Sequence, residues 1–155
     1  MARVKNTWWN RNKFKMSGLV IVLSAVFFYQ SLNPKFPELW SAKVIGEYNV
    51  SPMPFNLKQP YLHHGVYTKD FFLIFNKGQV KNIRQAYLNI GTKALPLASL
   101  EQGEDGILHG SQHGQEVHAI SPKVLSEKDK LWLTIENWNG EVLVTYWDIP
   151  VQFLD

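Results

Sequence analysis

The stretch LWLTIENWNGEVLVTYWD, residues 131–148, decides the fold class. Its arms, Leu131 to Trp138 and Glu141 to Asp148, are rich in β-branched and aromatic residues. Asn139-Gly140 between them suits a two-residue type I′ turn, because both central positions need positive φ. Such a turn sets Trp138 opposite Glu141, Ile135 opposite Val144 and Leu133 opposite Tyr146. Leu131, Leu133, Ile135, Val142, Val144 and Tyr146 are then expected on the core face. The reverse face carries Thr134, Glu136, Thr145, Leu143 and a cross-strand pair of Trp132 with Trp147. An outer face of that kind makes Trp132, Leu143 and Trp147 candidate partner-binding residues. The competing reading places the two tryptophans beneath another element of the same domain, since large aromatics are usually buried.

Working outward, Trp40, Ala42, Val44, Gly46, Tyr48 and Val50 share one parity, which predicts a first strand over residues 40–50. Pro52, Pro54 and Pro60 lack the donors of a sheet ladder, so residues 51–60 are expected to form a loop or an edge crossing. The run from Asp70 to Phe75, the turn signal Asn76-Lys77-Gly78 and the return from Gln79 to Ile90 predict a hairpin. Weaker patterns suggest a short strand from Lys93 to Leu97 and helical turns within Leu97 to Glu104 or Pro122 to Lys128. The sum is a mainly β chain: a small antiparallel domain, either barrel-like or an open sheet completed by a partner.

A different pattern precedes it. Residues 16–34 carry no charge, and Leu19, Val20, Ile21, Val22, Leu23, Phe27 and Phe28 make a helix apolar on every face, which suits hydrocarbon better than one side of a soluble core. Trp8 and Trp9 would lie roughly 30 Å from Tyr29 along a helix, about one hydrocarbon thickness, and aromatic residues favour both membrane interfaces. Arg3, Lys5, Arg11, Lys13 and Lys15 stand before the run with no acid among them, which predicts a cytoplasmic N-terminus. A cleaved signal peptide shares the charged start but ends in small residues, and here Phe27, Phe28, Tyr29, Gln30 and Leu32 follow, with Ser31 the one small side chain. The expected organisation is a basic tail at 1–15, a transmembrane helix at 16–32, a linker at 33–39 and a β-rich domain at 40–155. The expected location is a bacterial inner membrane, single-pass, with that domain in the periplasm.

The formal charge of +3 over 155 residues therefore divides. From Asn33 onward there are eleven basic and thirteen acidic side chains, a formal −2, which argues against a polyanion ligand for the exported part. The tail is too short for a DNA-reading fold, so no direct nucleic-acid contact is expected, and its cations suit anionic lipid. Cysteine is absent, which excludes disulfide staples, thiol catalysis and thiolate metal sites.

All five histidines, His63, His64, His109, His113 and His118, lie in this second part. His109, His113 and His118 sit in a glycine-containing segment read as a flexible loop. They are candidates for pH sensing or for a metal such as zinc, copper or nickel, against the reading of ordinary loop histidines. No nucleophile elbow, zinc-protease motif, phosphate loop or dinucleotide fingerprint occurs, so neither an enzyme nor a cofactor is expected.

The arrangement of Arg3 to Lys15, the anchor from Met16 to Leu32, the strand-forming Trp40 to Val50, and the terminal hairpin leading to Pro150-Val151-Gln152-Phe153 resembles a group of small bitopic proteins. These are the periplasmic accessory proteins of membrane-bound transcription activators: the ToxS/VtrC, PsaF/MyfF and FidL-like group. The resemblance implies that the domain pairs with a membrane-anchored transcription activator, shields it from proteolysis, and contributes to sensing a signal such as bile salt, a small amphipathic ligand, or acidity. Two other functions compete: a single-anchor assembly or scaffold factor for an oxidase, secretion system or pilus, and an envelope metal-binding protein using the His-rich loop.

Overall fold

The computed structural model describes residues 6–111 and 114–154; Arg3 and Lys5 of the predicted tail, and His113, lie outside them. The chain forms two compact units, one ending at Lys35 and the other starting at Phe36. The first contains helix α1 (Trp8–Leu32), and Arg11, Lys13 and Lys15 stand on its opening turns. The Thr7 hydroxyl caps the helix by accepting from the Asn10 N–H at 3.3 Å. Its 25 residues span roughly 37 Å. It is long and apolar enough to cross a membrane, and none of its side chains is buried. Ser17 and Ser24 donate to the carbonyls of Phe14 and Val20, so their hydroxyls are satisfied within the helix.

The second unit is a nine-stranded, nearly closed, barrel-like sheet. Its strands are β1 (Lys43–Ile45), β2 (Tyr48–Pro54), β3 (Tyr61–His63), β4 (Val66–Lys77), β5 (Ile83–Gly91), β6 (His109–Ser111), β7 (Gly114–Ile120), β8 (Lys130–Asn137) and β9 (Val142–Asp148). The order is β1-β2-β4-β7-β5-β8-β9, with β3 added to β4 and β6 to β7. Pairing is antiparallel except for one parallel pair, Asn89 with Ile120, between β5 and β7. The core gathers Tyr48, Val50, Phe71, Leu73, Leu88, Val117, Leu131, Leu133 and Ile135. Phe153, on a 3₁₀ turn at Val151–Phe153, packs edge-on against Trp40 at 5.6 Å.

Several local expectations are corrected. The predicted strand over 40–50 is a hairpin, β1 and β2 joined at Gly46-Glu47, and the two-residue turn inverts the parity so that Ile45 is buried while Val44 is exposed. The proline segment begins as strand: Pro52 and Pro54 pair with Leu73 and Phe71 of β4. The Pro52 carbonyl accepts from Trp40 N–H on the opposite side, so the missing proline donor falls on an edge and costs no ladder bond. β4 and β5 do not form the predicted hairpin. A 3₁₀ turn at Val80–Asn82 redirects the chain, and its Asn82 carbonyl accepts from the Trp138 N–H, which leads β5 onto β8. Residues 93–97 form no strand; a single helical turn, α2 (Leu97–Leu100), follows. Residues 122–128 are not helical, and the Asp129 carboxylate instead accepts from the N–H and hydroxyl of Ser126.

The terminal hairpin exists, but its register differs by one residue. Asn137 N–H donates to the Glu141 carbonyl and Gly140 N–H to the Asn137 carbonyl. Gly140 has φ of +81°, and Asn139 is not among the residues with positive φ. The connection is thus a three-residue loop with glycine in the left-handed position, not a type I′ turn. Leu131 faces Trp147, Trp132 faces Tyr146 and Ile135 faces Leu143. Because side chains alternate, one residue of slip turns the whole of β9 over.

Candidate functional site

That inversion changes the proposed contact face. Trp147 is 2% exposed and donates its indole N–H to the Ser41 carbonyl at 2.7 Å, so it belongs to the interior. Leu143 also turns inward and packs against the core. Trp132 remains on the outer face, partly exposed, with its indole N–H on the Gly91 carbonyl and its ring 5.0 Å from Tyr146. Val142, Val144 and Tyr146, expected in the core, are 46%, 50% and 36% exposed. Lys43 and Lys130 place their ammonium groups 4.5 and 3.9 Å from the centre of the Tyr146 ring. An apolar strip with a cationic border results, built from Trp132, Val142, Val144 and Tyr146. Its membership could be read from the sequence only with the correct turn.

A second constellation lies on the outside of β3, β4, β7 and β6. The segment read as a flexible loop is a hairpin, with His109 paired to Glu116 and Ser111 to Gly114. β4 sets Asp70 opposite His118 of β7, while β3 and its turn bring in His63 and His64. The His118 ring Nδ1 lies 2.7 Å from Asp70 Oδ1, a distance requiring that nitrogen to donate when the carboxylate is ionised. Tyr61 donates to the same carboxylate at 2.9 Å. Burial first, then the hydrogen bond to Asp70, raises the Tyr61 hydroxyl above its ordinary range, so it stays a donor. The His63 ring stacks on His118 at 5.0 Å, His64 stands edge-on to His63 at 4.1 Å, and His109 is 5.8 Å from His118. Of the three histidines singled out from sequence, His109 and His118 are thus neighbours. His63 and His64 are not in that set, because the 44 residues of chain between His64 and His109 hide an adjacency that only the strand order creates.

Among the described residues no group of three or more His, Asp or Glu side chains is arranged to hold a metal ion. The cluster is a set of packed imidazoles, one of them hydrogen-bonded to the Asp70 carboxylate. On the core side of the same strand, Lys69 donates to the carbonyls of Asn56 and Lys58 and lies 5.0 Å from the centre of the Phe153 ring. Burial lowers its ammonium to about 8. No sequence motif marked it, since a lone lysine in a strand usually points to solvent.

No curated protein and no solved structure matches the chain. The family model for Uncharacterised conserved protein UCP029505 matches residues 8–150, and the chain belongs to that family.

Proposed function

We propose that this protein is a single-pass inner-membrane protein whose β domain stands in the periplasm as an accessory, stabilising partner of a membrane-anchored transcription activator. The observation that carries the reading is the strip of Trp132, Val142, Val144 and Tyr146, an exposed apolar surface on a domain whose chain also holds a candidate membrane-spanning helix. Arg11, Lys13 and Lys15 at the start of α1 support the orientation, since basic residues stay on the cytoplasmic side and are drawn to anionic lipid. A small amphipathic ligand would find apolar and cationic groups together in a surface depression of about 660 Å³ near Phe75, Val80, Lys81 and Gln115.

The test is co-purification of full-length protein from native membranes, with Val144→Glu as the comparison. Recovery of a membrane-anchored DNA-binding protein, reduced more than about tenfold by the variant while the β domain stays folded, is the expected outcome. Recovery of oxidase, secretion or pilus subunits by both forms would replace this reading with that of an assembly factor.

A further inference from the structure

The histidine cluster has a mechanical setting as well as a chemical one. β3 has three residues, pairs with β4 alone, and is turned by His64 and Gly65, both at positive φ. Leu62 is 61% exposed and Tyr61 42%, so little apolar burial holds this strand. Two groups bind it across the sheet: the Tyr61 hydroxyl on Asp70 and the His63 ring on His118.

Consider the charges that meet there. β3 contributes Tyr61 and His63, its turn His64, β4 Asp70, β7 Glu116 and His118, and β6 His109. With every imidazole neutral the group carries two negative charges, and with all four protonated it carries two positive ones. An imidazolium at His118 would pair with Asp70 at 2.7 Å. An imidazolium at His63 would lie on the His118 ring, stacked 5.0 Å away, and Asp70 is already engaged by His118 and Tyr61. Like charges at that distance repel, and His64 at 4.1 Å from His63 adds to the repulsion.

We propose that His63, His64, His109 and His118, gathered around Asp70, form a proton-operated latch that holds β3 on the sheet near neutrality and releases it on acidification. Release uncovers the edge of β4 from Val66 to Thr68, leaving backbone donors and acceptors open to a strand from another chain.

Amide hydrogen exchange of the full-length protein in detergent, at pH ~7.5 and ~5.0 and normalised for intrinsic exchange, tests it against the ordinary imidazole range. The expected result is a loss of protection of about tenfold or more in residues 61–68 at the lower pH, with residues 131–137 unchanged, and a much smaller loss in His63→Gln and His118→Gln. Unchanged protection in the wild type would overturn the latch. So would an equal loss in whichever of the two variants folds.

Discussion

β8 is paired along both edges, to β5 and β9, and its Leu131, Leu133 and Ile135 have no exposed surface. β3 is paired along one edge only, its Tyr61 and Leu62 face solvent, and its cross-sheet contacts run through a phenol, a carboxylate and imidazoles. The two strands share one sheet, but apolar burial holds the first and protonation-dependent groups hold the second. The cost of perturbation should therefore follow the kind of contact more than the presence of a ladder.

The largest expected effect is at the seam of the terminal hairpin. Trp147→Ala should cost about 3–5 kcal/mol in denaturant unfolding of the full-length protein, while Val144→Ala, on the outer face, should stay within about 0.5 kcal/mol. The reverse ranking would restore the register in which Trp138 faces Glu141. Next, Leu133→Ala should cost about 2–5 kcal/mol and Leu62→Ala less than about 0.5 kcal/mol, measured in the same way. Equal losses would erase the distinction between β8 and β3.

A smaller effect depends on pH. The folded-state ammonium of Lys69 is lowered to about 8, below its ordinary 10.5. Between those values the unfolded chain holds a proton that the folded chain has released, so this residue makes stability rise with pH across the window; below it the burial penalty is present in full. Above pH ~10 the Tyr48 hydroxyl, raised to about 12 mainly by burial and then by Glu47, acts in the opposite sense. Melting temperatures of Lys69→Met should lack the rise between pH ~8 and ~10 expected of the wild type. Identical slopes would mean that Lys69 titrates as a solvated lysine. The smallest effect is expected at His64, whose φ of +45° is a conformation that asparagine also accepts. His64→Asn should move global stability by less than about 0.5 kcal/mol at neutral pH, and a larger loss would show that this ring contributes packing as well as charge.

The candidate membrane span was legible because it needs only an unbroken composition, and the β class because alternation and turn residues are local. The register of the last hairpin was not. Asn139-Gly140 is compatible with two loop lengths, and the choice rests on whether Asn139 adopts positive φ, which the ties from Trp138 to Lys81 and Asn82 help to settle from outside the hairpin. The strip of Val142, Val144 and Tyr146 was misplaced for that reason alone. His109 and His118 were visible as a local cluster. Their meeting with His63, His64 and Asp70 follows from β3, β4, β7 and β6 lying side by side, and no local period encodes that order.

The position of β8 in the sheet also bears on how the domain is made. β5, at residues 83–91, has its long antiparallel partner at residues 130–137, and β9 completes the sheet later still. While the chain is being synthesised, the edge of β5 that takes β8 stays unpaired until about fifty further residues have emerged, although its other edge meets residues 106–108 and β7 sooner. During that interval an unfinished sheet is exposed to proteases and to other nascent chains, and the eighteen residues 131–148 of the terminal hairpin determine when the exposure ends.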